Sequence, residues 1–158
     1  MTPGSSLLVI VAAAVMAFPA VLTSASEAQC VPMETVSVDQ LLSIMKSLDL
    51  EAEDVSGEEG AKAVSWTYMG LMSRIALMKD GKFIWFYLIL RDAPVTLQNL
   101  NDWNRESLFA KSYLDKDGDA VIELFLNFNG GICEGRIRDW FSSIRYSLTT
   151  WLDMMRSN

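Results

Sequence analysis

The sequence predicts an α+β domain: a five-stranded antiparallel sheet with helices on one face, in the order αβββαββα. Three observations lead there. Five short runs are rich in β-branched and aromatic residues and alternate or stay apolar throughout. Three segments carry apolar stripes at helical spacing. Two Asp-Gly pairs, Asp80-Gly81 and Asp117-Gly118, join neighbouring β-runs as hairpin turns.

The first helix lies in "VSVDQLLSIMKSL", residues 36 to 48. Ser37 is placed to cap it, and Gln40 three residues on completes a capping box. Val36 and Leu41 suit a hydrophobic staple, and Val38, Leu41, Leu42, Met45 and Leu48 form one stripe. The next stretch, "LDLEAEDVSGEEG" at 48 to 60, bunches acidic residues and reads as a solvated edge and loop, with a basic partner as the sharper alternative.

"AVSWTYM" follows as a strand with Val64, Trp66 and Tyr68 on one side. "SRIALMKDGKFIWFYLILRD" then reads as a hairpin turning at Asp80-Gly81. Its second run is apolar on both faces. Ile84, Phe86, Leu88 and Leu90 point one way; Phe83, Trp85, Tyr87 and Ile89 point the other. Pro94 ends the sheet run, and Thr96 caps a short helix with Leu97, Leu100 and Trp103 inward. "AKSYLD" and "DAVIELFLNF" pair around Asp117-Gly118. In the latter, Ala120, Ile122, Leu124, Leu126 and Phe128 make an apolar face, while Val121, Glu123, Phe125 and Asn127 make a mixed one. A helix from about Arg136 to Met155 closes the domain. Helices on one face leave the other open, with Trp85, Tyr87, Ile89 and Phe125 on it, and exposed apolar patches mark interfaces.

The chain has 158 residues and a net charge of −7, enough for one domain and adverse to nucleic acid, whose phosphates require basic stripes. It has no His, which removes Ser-His and Cys-His nucleophile pairs and most zinc sites. Residues 1–28 read as a signal peptide: an apolar run from Leu7 to Leu22, then small residues, with Ser26-Glu27-Ala28 fitting a cleavage site before Gln29. Thr23-Ser24-Ala25 is a second candidate site. No Lys or Arg precedes the run, so an uncleaved membrane anchor is the alternative. Residues 29–35 are an N-terminal extension and 36–158 the domain. The mature chain keeps Cys30 and Cys133, expected in a periplasmic or secreted setting, where they pair as a disulfide or stay free. Glu27-Ala28-Gln29 is wrong for a lipid attachment signal at Cys30.

"YLDKDGDAVIE" resembles a calcium loop only in part. Counting from Asp115, Asp117 and Asp119 fall at positions three and five, but Ala120 stands where the loop needs Gly and Leu126 where it needs Glu. The hairpin reading is preferred, with Asp117-Gly118 as the turn pair and Asp115, Asp117 and Asp119 as a weak calcium candidate. Asp102 and Glu106 share one helix face, yet catalytic pairs need burial. Cys133 lacks a His partner. Five Trp and nine Met fit core packing, or a surface that adapts to varied clients.

The stretch "LNDWNRESLFAKSYLDKDGDAVIELFLNFNGG", residues 100 to 131, resembles the YbjN family, described as bacterial sensory transduction regulators. The matching positions are Asn101, Trp103, Asn104, Arg105 and Glu106, then Phe109, Tyr113, Leu114, Asp115, Asp117, Gly118 and Asp119. Asp102 stands where the family often has Glu, and Leu108 and Lys111 where it often has Arg, which thins any basic patch. The resemblance implies a fold like that of class I type III secretion chaperones, proteins that usually dimerise and hold an unfolded client. It supplies no catalytic residue and no cofactor. The expectation is therefore a non-enzymatic, exported, chaperone-like or regulatory module that binds a protein or peptide through its apolar sheet face as a monomer or homodimer. The alternative is a calcium- or ligand-sensing envelope domain using the Asp-rich turn. Membrane contact is expected only if the leader stays uncleaved.

Overall fold

The computed structural model describes residues 30–57 and 60–157, so the leader read in residues 1–28 lies outside the described residues. The elements are α1 (Val38–Ser47), β1 (Ala52–Asp54), β2 (Lys62–Tyr68), β3 (Leu71–Met78), β4 (Phe83–Leu90), α2 (Leu97–Glu106), β5 (Lys111–Leu114), β6 (Ala120–Asn127) and α3 (Glu134–Arg156). They form a six-stranded sheet in the order β1-β2-β3-β4-β6-β5, with every neighbouring pair antiparallel.

The sheet thus has six strands rather than the expected five, and the element order gains a strand after α1. The added strand lies inside the acidic stretch. Ala52, Glu53 and Asp54 pair with Trp66, Ser65 and Val64. Ala, Glu and Asp are weak strand formers, so the extended geometry comes from the edge of β2 that these residues cover rather than from local preference. The sequence alone carries no alternation there to signal it.

The helix starts follow side-chain capping. Ser37 and Gln40 form a reciprocal capping box on α1, at 3.2 and 2.9 Å. Thr96 and Asn99 do the same on α2. Such a box satisfies two N–H groups the helix cannot, and losing the cap residue costs about 1 kcal/mol. Leu97 was expected to face inward on α2 but is 64% exposed; Leu100 alone is buried on that helix. Leu97 occupies the first helical position, one turn before Leu100.

One face of the sheet builds the core. Val64, Trp66, Ile75, Ile84, Phe86, Leu88, Ile122 and Leu124 are all buried there. Against them pack Leu41, Ile44 and Met45 of α1 and the α3 stripe of Ile137, Trp140, Phe141, Ile144, Leu148, Trp151, Leu152 and Met155. Trp66 meets Phe141 edge-on at 6.0 Å, which ties β2 to α3. Each such large side chain contributes about 1.5–3 kcal/mol on burial.

Both hairpin turns sit one residue earlier than the Asp-Gly pairs suggest. In the β3–β4 turn, Lys79 and Asp80 take positive φ values of 48° and 56°, and Gly81 N–H donates to the Met78 carbonyl at 3.1 Å. The two central residues are therefore Lys79 and Asp80. Gly81, with φ 83°, is pressed so closely on the Val36 backbone that any Cβ would collide with it. In the β5–β6 turn, Gly118 N–H donates to the Asp115 carbonyl at 3.1 Å and Gly118 takes φ 86°. Lys116 and Asp117 are the central pair, and Gly118 is the left-handed residue of a three-residue loop. In each case the glycine supplies the conformation that follows the turn.

The N-terminal residues form a strap over one end of the sheet. Cys30 and Cys133 are joined as a disulfide across 103 residues, with their Cα atoms 5.4 Å apart. Met33 and Ile132 exchange backbone hydrogen bonds at 2.8 and 3.0 Å, and Val36 N–H donates to the Gly81 carbonyl at 3.0 Å. The strap thereby fixes the β3–β4 turn and the start of α3 together.

Candidate functional site

The register places the opposite sheet face residue by residue. Trp85 lies opposite Phe125 across β4 and β6, Tyr87 opposite Glu123, and Ile89 opposite Val121. On the other side, Ala76 lies opposite Trp85 and Arg74 opposite Tyr87. The four expected contact residues Trp85, Tyr87, Ile89 and Phe125 thus share one face. Among the described residues, no helix packs on it. Phe125 is 50% exposed and Ile89 45% exposed, while Trp85 and Tyr87 are half-buried by their neighbours. The Trp85 and Phe125 rings stack in parallel at 5.7 Å, and Trp85 meets Tyr87 at 4.7 Å. Pairs like these stabilise by about 0.5–1.5 kcal/mol beyond area burial and hold the rings as a stiff platform.

A carboxylate sits inside this platform. Glu123 Oε2 accepts from Trp85 Nε1 at 3.1 Å and from the Tyr113 hydroxyl at 3.2 Å. Burial, and then the negative charge and hydrogen bond of Glu123 with a smaller contribution from Asp115, push the Tyr113 hydroxyl above the usual tyrosine range. Lys111 lies opposite Glu123 on β5. Glu123, Tyr113 and Arg74 were not singled out as site residues from the sequence. The alternation of β6 puts Glu123 on the mixed face, but its neighbours come from strands separated by a helix in sequence.

The Asp-rich turn is spent largely on its own backbone. Asp115 Oδ1 accepts from the N–H groups of Asp117 and Asp119, both at 2.9 Å. Asp119 Oδ1 accepts from Asp92 N–H at 3.2 Å, and Asp117 pairs with Lys116 at 2.8 Å. Among the described residues no three His, Cys, Asp or Glu side chains are grouped to hold a metal ion. A shallow hollow of about 390 Å³ runs from this turn to Arg74, Arg91, Tyr87 and Ile89, so the turn borders the open face.

Asp102 and Glu106 line an open groove of about 410 Å³ between α2 and α3. Asp102 pairs with Arg105 at 3.0 Å and accepts from Gln98, an exposed ion pair rather than a buried acid–base dyad. Leu108 and Phe109 protrude beside this groove on the loop after α2.

The free edge of β5 is closed by a side chain. Asn104 accepts from Ser112 N–H at 2.8 Å and donates to the Ser112 carbonyl at 2.7 Å, as a neighbouring strand would. The Ser112 hydroxyl donates to the Val121 carbonyl and accepts from Trp151 Nε1, both at 2.8 Å. This network, buried at Ser112 and Trp151 and reaching the surface at Asn104, joins α2, β5, β6 and α3.

The segment carrying Asn104, the Asp turn and Gly118 is the one that resembles a known family, and a profile of that family matches most of the chain. YbjN, described as "Putative bacterial sensory transduction regulator", matches residues 37–156. The chain belongs to the YbjN family. Two solved structures resemble this YbjN chain. The Yersinia pestis type III secretion chaperone SycH, in complex with a stable fragment of YscM2, is 22% identical and covers 74% of this chain and 94% of its own, with a TM-score of 0.45. The chaperone-effector complex HopA1-SchA gives 12% identity over 73% of this chain and 86% of the other, with a TM-score of 0.50. The fold is therefore secretion chaperone-like. No curated protein matches the chain. Among the described residues, no helix is long and apolar enough to cross a membrane.

Proposed function

We propose that this chain is a non-enzymatic, exported protein-binding module whose contact surface is the helix-free sheet face. The observation that carries the reading is the stacked Trp85–Phe125 pair, with Tyr87 and Ile89 beside it, on a face that no element of the described chain covers. Large rigid aromatics around a few fixed polar groups are what protein contact surfaces use for energy and orientation. Glu123, held by Trp85 and Tyr113, is such a polar group. The chaperone-like fold and the YbjN membership support a protein partner over a small molecule.

Export with cleavage after Ala28 would leave Cys30 next to the new N-terminus, where its bond to Cys133 holds the strap. Intact mass of the chain isolated from its cell envelope tests this: a mature protein beginning at Gln29 supports export, and one still carrying residues 1–28 points to an anchor. Substituting Trp85 and Phe125 with Ser tests the surface. Loss of partner association with an unchanged fold supports it, and unchanged association removes it. The calcium reading of Asp115, Asp117 and Asp119 has less behind it, since two of these carboxylates already accept backbone N–H groups. Thermal melting with calcium and then with chelator decides it, because a calcium site requires a reversible upward shift.

A further inference from the structure

We propose that the open sheet face is covered by a second copy of this chain, the two sheets packed face to face about a two-fold axis that runs along β4. This rests on the reading of that face as a contact surface and names its occupant.

The argument comes from rows of residues across the sheet. At one level Ser65, Arg74, Tyr87, Glu123 and Lys111 follow one another over β2, β3, β4, β6 and β5. At the next level the row is Ala63, Ala76, Trp85 and Phe125. A two-fold axis along β4 keeps each level in place and reverses the strand order. It lays β3 of one copy over β6 of the other. Arg74 then meets the second copy's Glu123, and Glu123 meets the second copy's Arg74. In the next row Ala76 meets the second copy's Phe125, small against large, while Trp85 and Tyr87 of both copies meet at the axis.

This is what an isologous interface requires: each contact occurs twice and the patch complements itself. Sheets stack about 10 Å apart with strand directions offset by about 30°. Arg and Glu side chains together span that gap. Arg74 makes no ion pair among the described residues, and both bonds to Glu123 fall on Oε2, which leaves Oε1 for the guanidinium.

The register is selective. Moving the axis half a strand toward β6 sets Arg74 over Lys111, two like charges. Moving it toward β3 sets Arg74 over Tyr87 and Glu123 over Ser65, with no charge pair at the centre. Five strands about 4.8 Å apart and about 27 Å long offer roughly 650 Å² of face per copy. A standard interface uses about 800 Å² per partner.

The test is sedimentation of the mature chain, of R74E, of E123R and of the double variant R74E/E123R, each checked for an unchanged melting transition. The expected result is a dimer at about 10 µM, association weakened at least about tenfold in either single variant, and recovery in the double variant. A wild type that stays monomeric to about 100 µM, or a folded double variant that does not regain the dimer, overturns the proposal. A maleimide probe on M72C, at an exposed position two residues from Arg74 on the same face of β3, separates this failure from failure of the underlying reading. A thiol open in the pure protein but shielded by envelope extract refutes the second copy while the face still contacts a partner. A thiol open in both refutes both.

Discussion

The two faces of β4 differ in what covers them, although the sequence makes both apolar. Ile84, Phe86 and Leu88 lie under the helices and are essentially inaccessible. Trp85, Tyr87 and Ile89, one residue out of phase, lie on the open face, with Phe125 stacked beside Trp85. The buried face is aliphatic with one Phe, and its partners are side chains of α1 and α3. The open face is mostly aromatic and carries charges, Arg74, Glu123 and Lys111, between its rings. A strand with apolar residues on both sides usually lies between two layers. Here one layer belongs to the chain itself, and the composition of the other face fits a layer supplied from outside.

Substitutions on the two faces of one strand should therefore separate stability from association. The largest effect is expected at Phe86, where Phe86→Ala should destabilise by about 3–5 kcal/mol in chemical denaturation because the cavity is fully enclosed. Cys30→Ser removes the strap's covalent tie and should cost about 2–5 kcal/mol, read as a lower melting point that reductant no longer changes. Asn104→Ala leaves the Ser112 backbone groups unpaired and should cost about 1–3 kcal/mol. Phe125→Ala, on the open face, should cost within about 1 kcal/mol of stability yet abolish association. If Phe125→Ala destabilises as much as Phe86→Ala, the two faces do the same job and the comparison fails.

The smallest effect concerns pH. Tyr113 has its folded titration raised, so the protonated hydroxyl favours the folded state. That contribution is complete below the ordinary tyrosine range and is lost as pH climbs through the raised value. Glu123→Gln should bring the Tyr113 transition, followed by ultraviolet absorbance, back toward the ordinary range. No movement would mean that burial alone sets it.

Much of the fold is local and was legible for that reason. The capping residues Ser37 and Thr96, the alternation in β2 and β6, the unbroken apolar run of β4 and the apolar stripe of α3 all act within a turn or a strand. What was missed is non-local. β1 is extended only because β2 offers it an edge. Glu123 becomes a site residue only when β6 pairs with β4 and β5, whose Trp85 and Tyr113 then reach it. Asn104 stood in the matched family stretch, but its strand-like grip on Ser112 follows from how α2 lies against β5. The turn positions were off by one because Asp-Gly pairs mark where positive φ is easy, while the strand registers decide which residues occupy the corner.

The central claim is that the open face, and not the helical one, is the contact surface. A photo-crosslinking amino acid at position 125 compared with one at position 142, on exposed α3, tests it most directly in the intact cell envelope. The account predicts a discrete adduct from position 125 and none from position 142. An adduct from position 142 alone would contradict it.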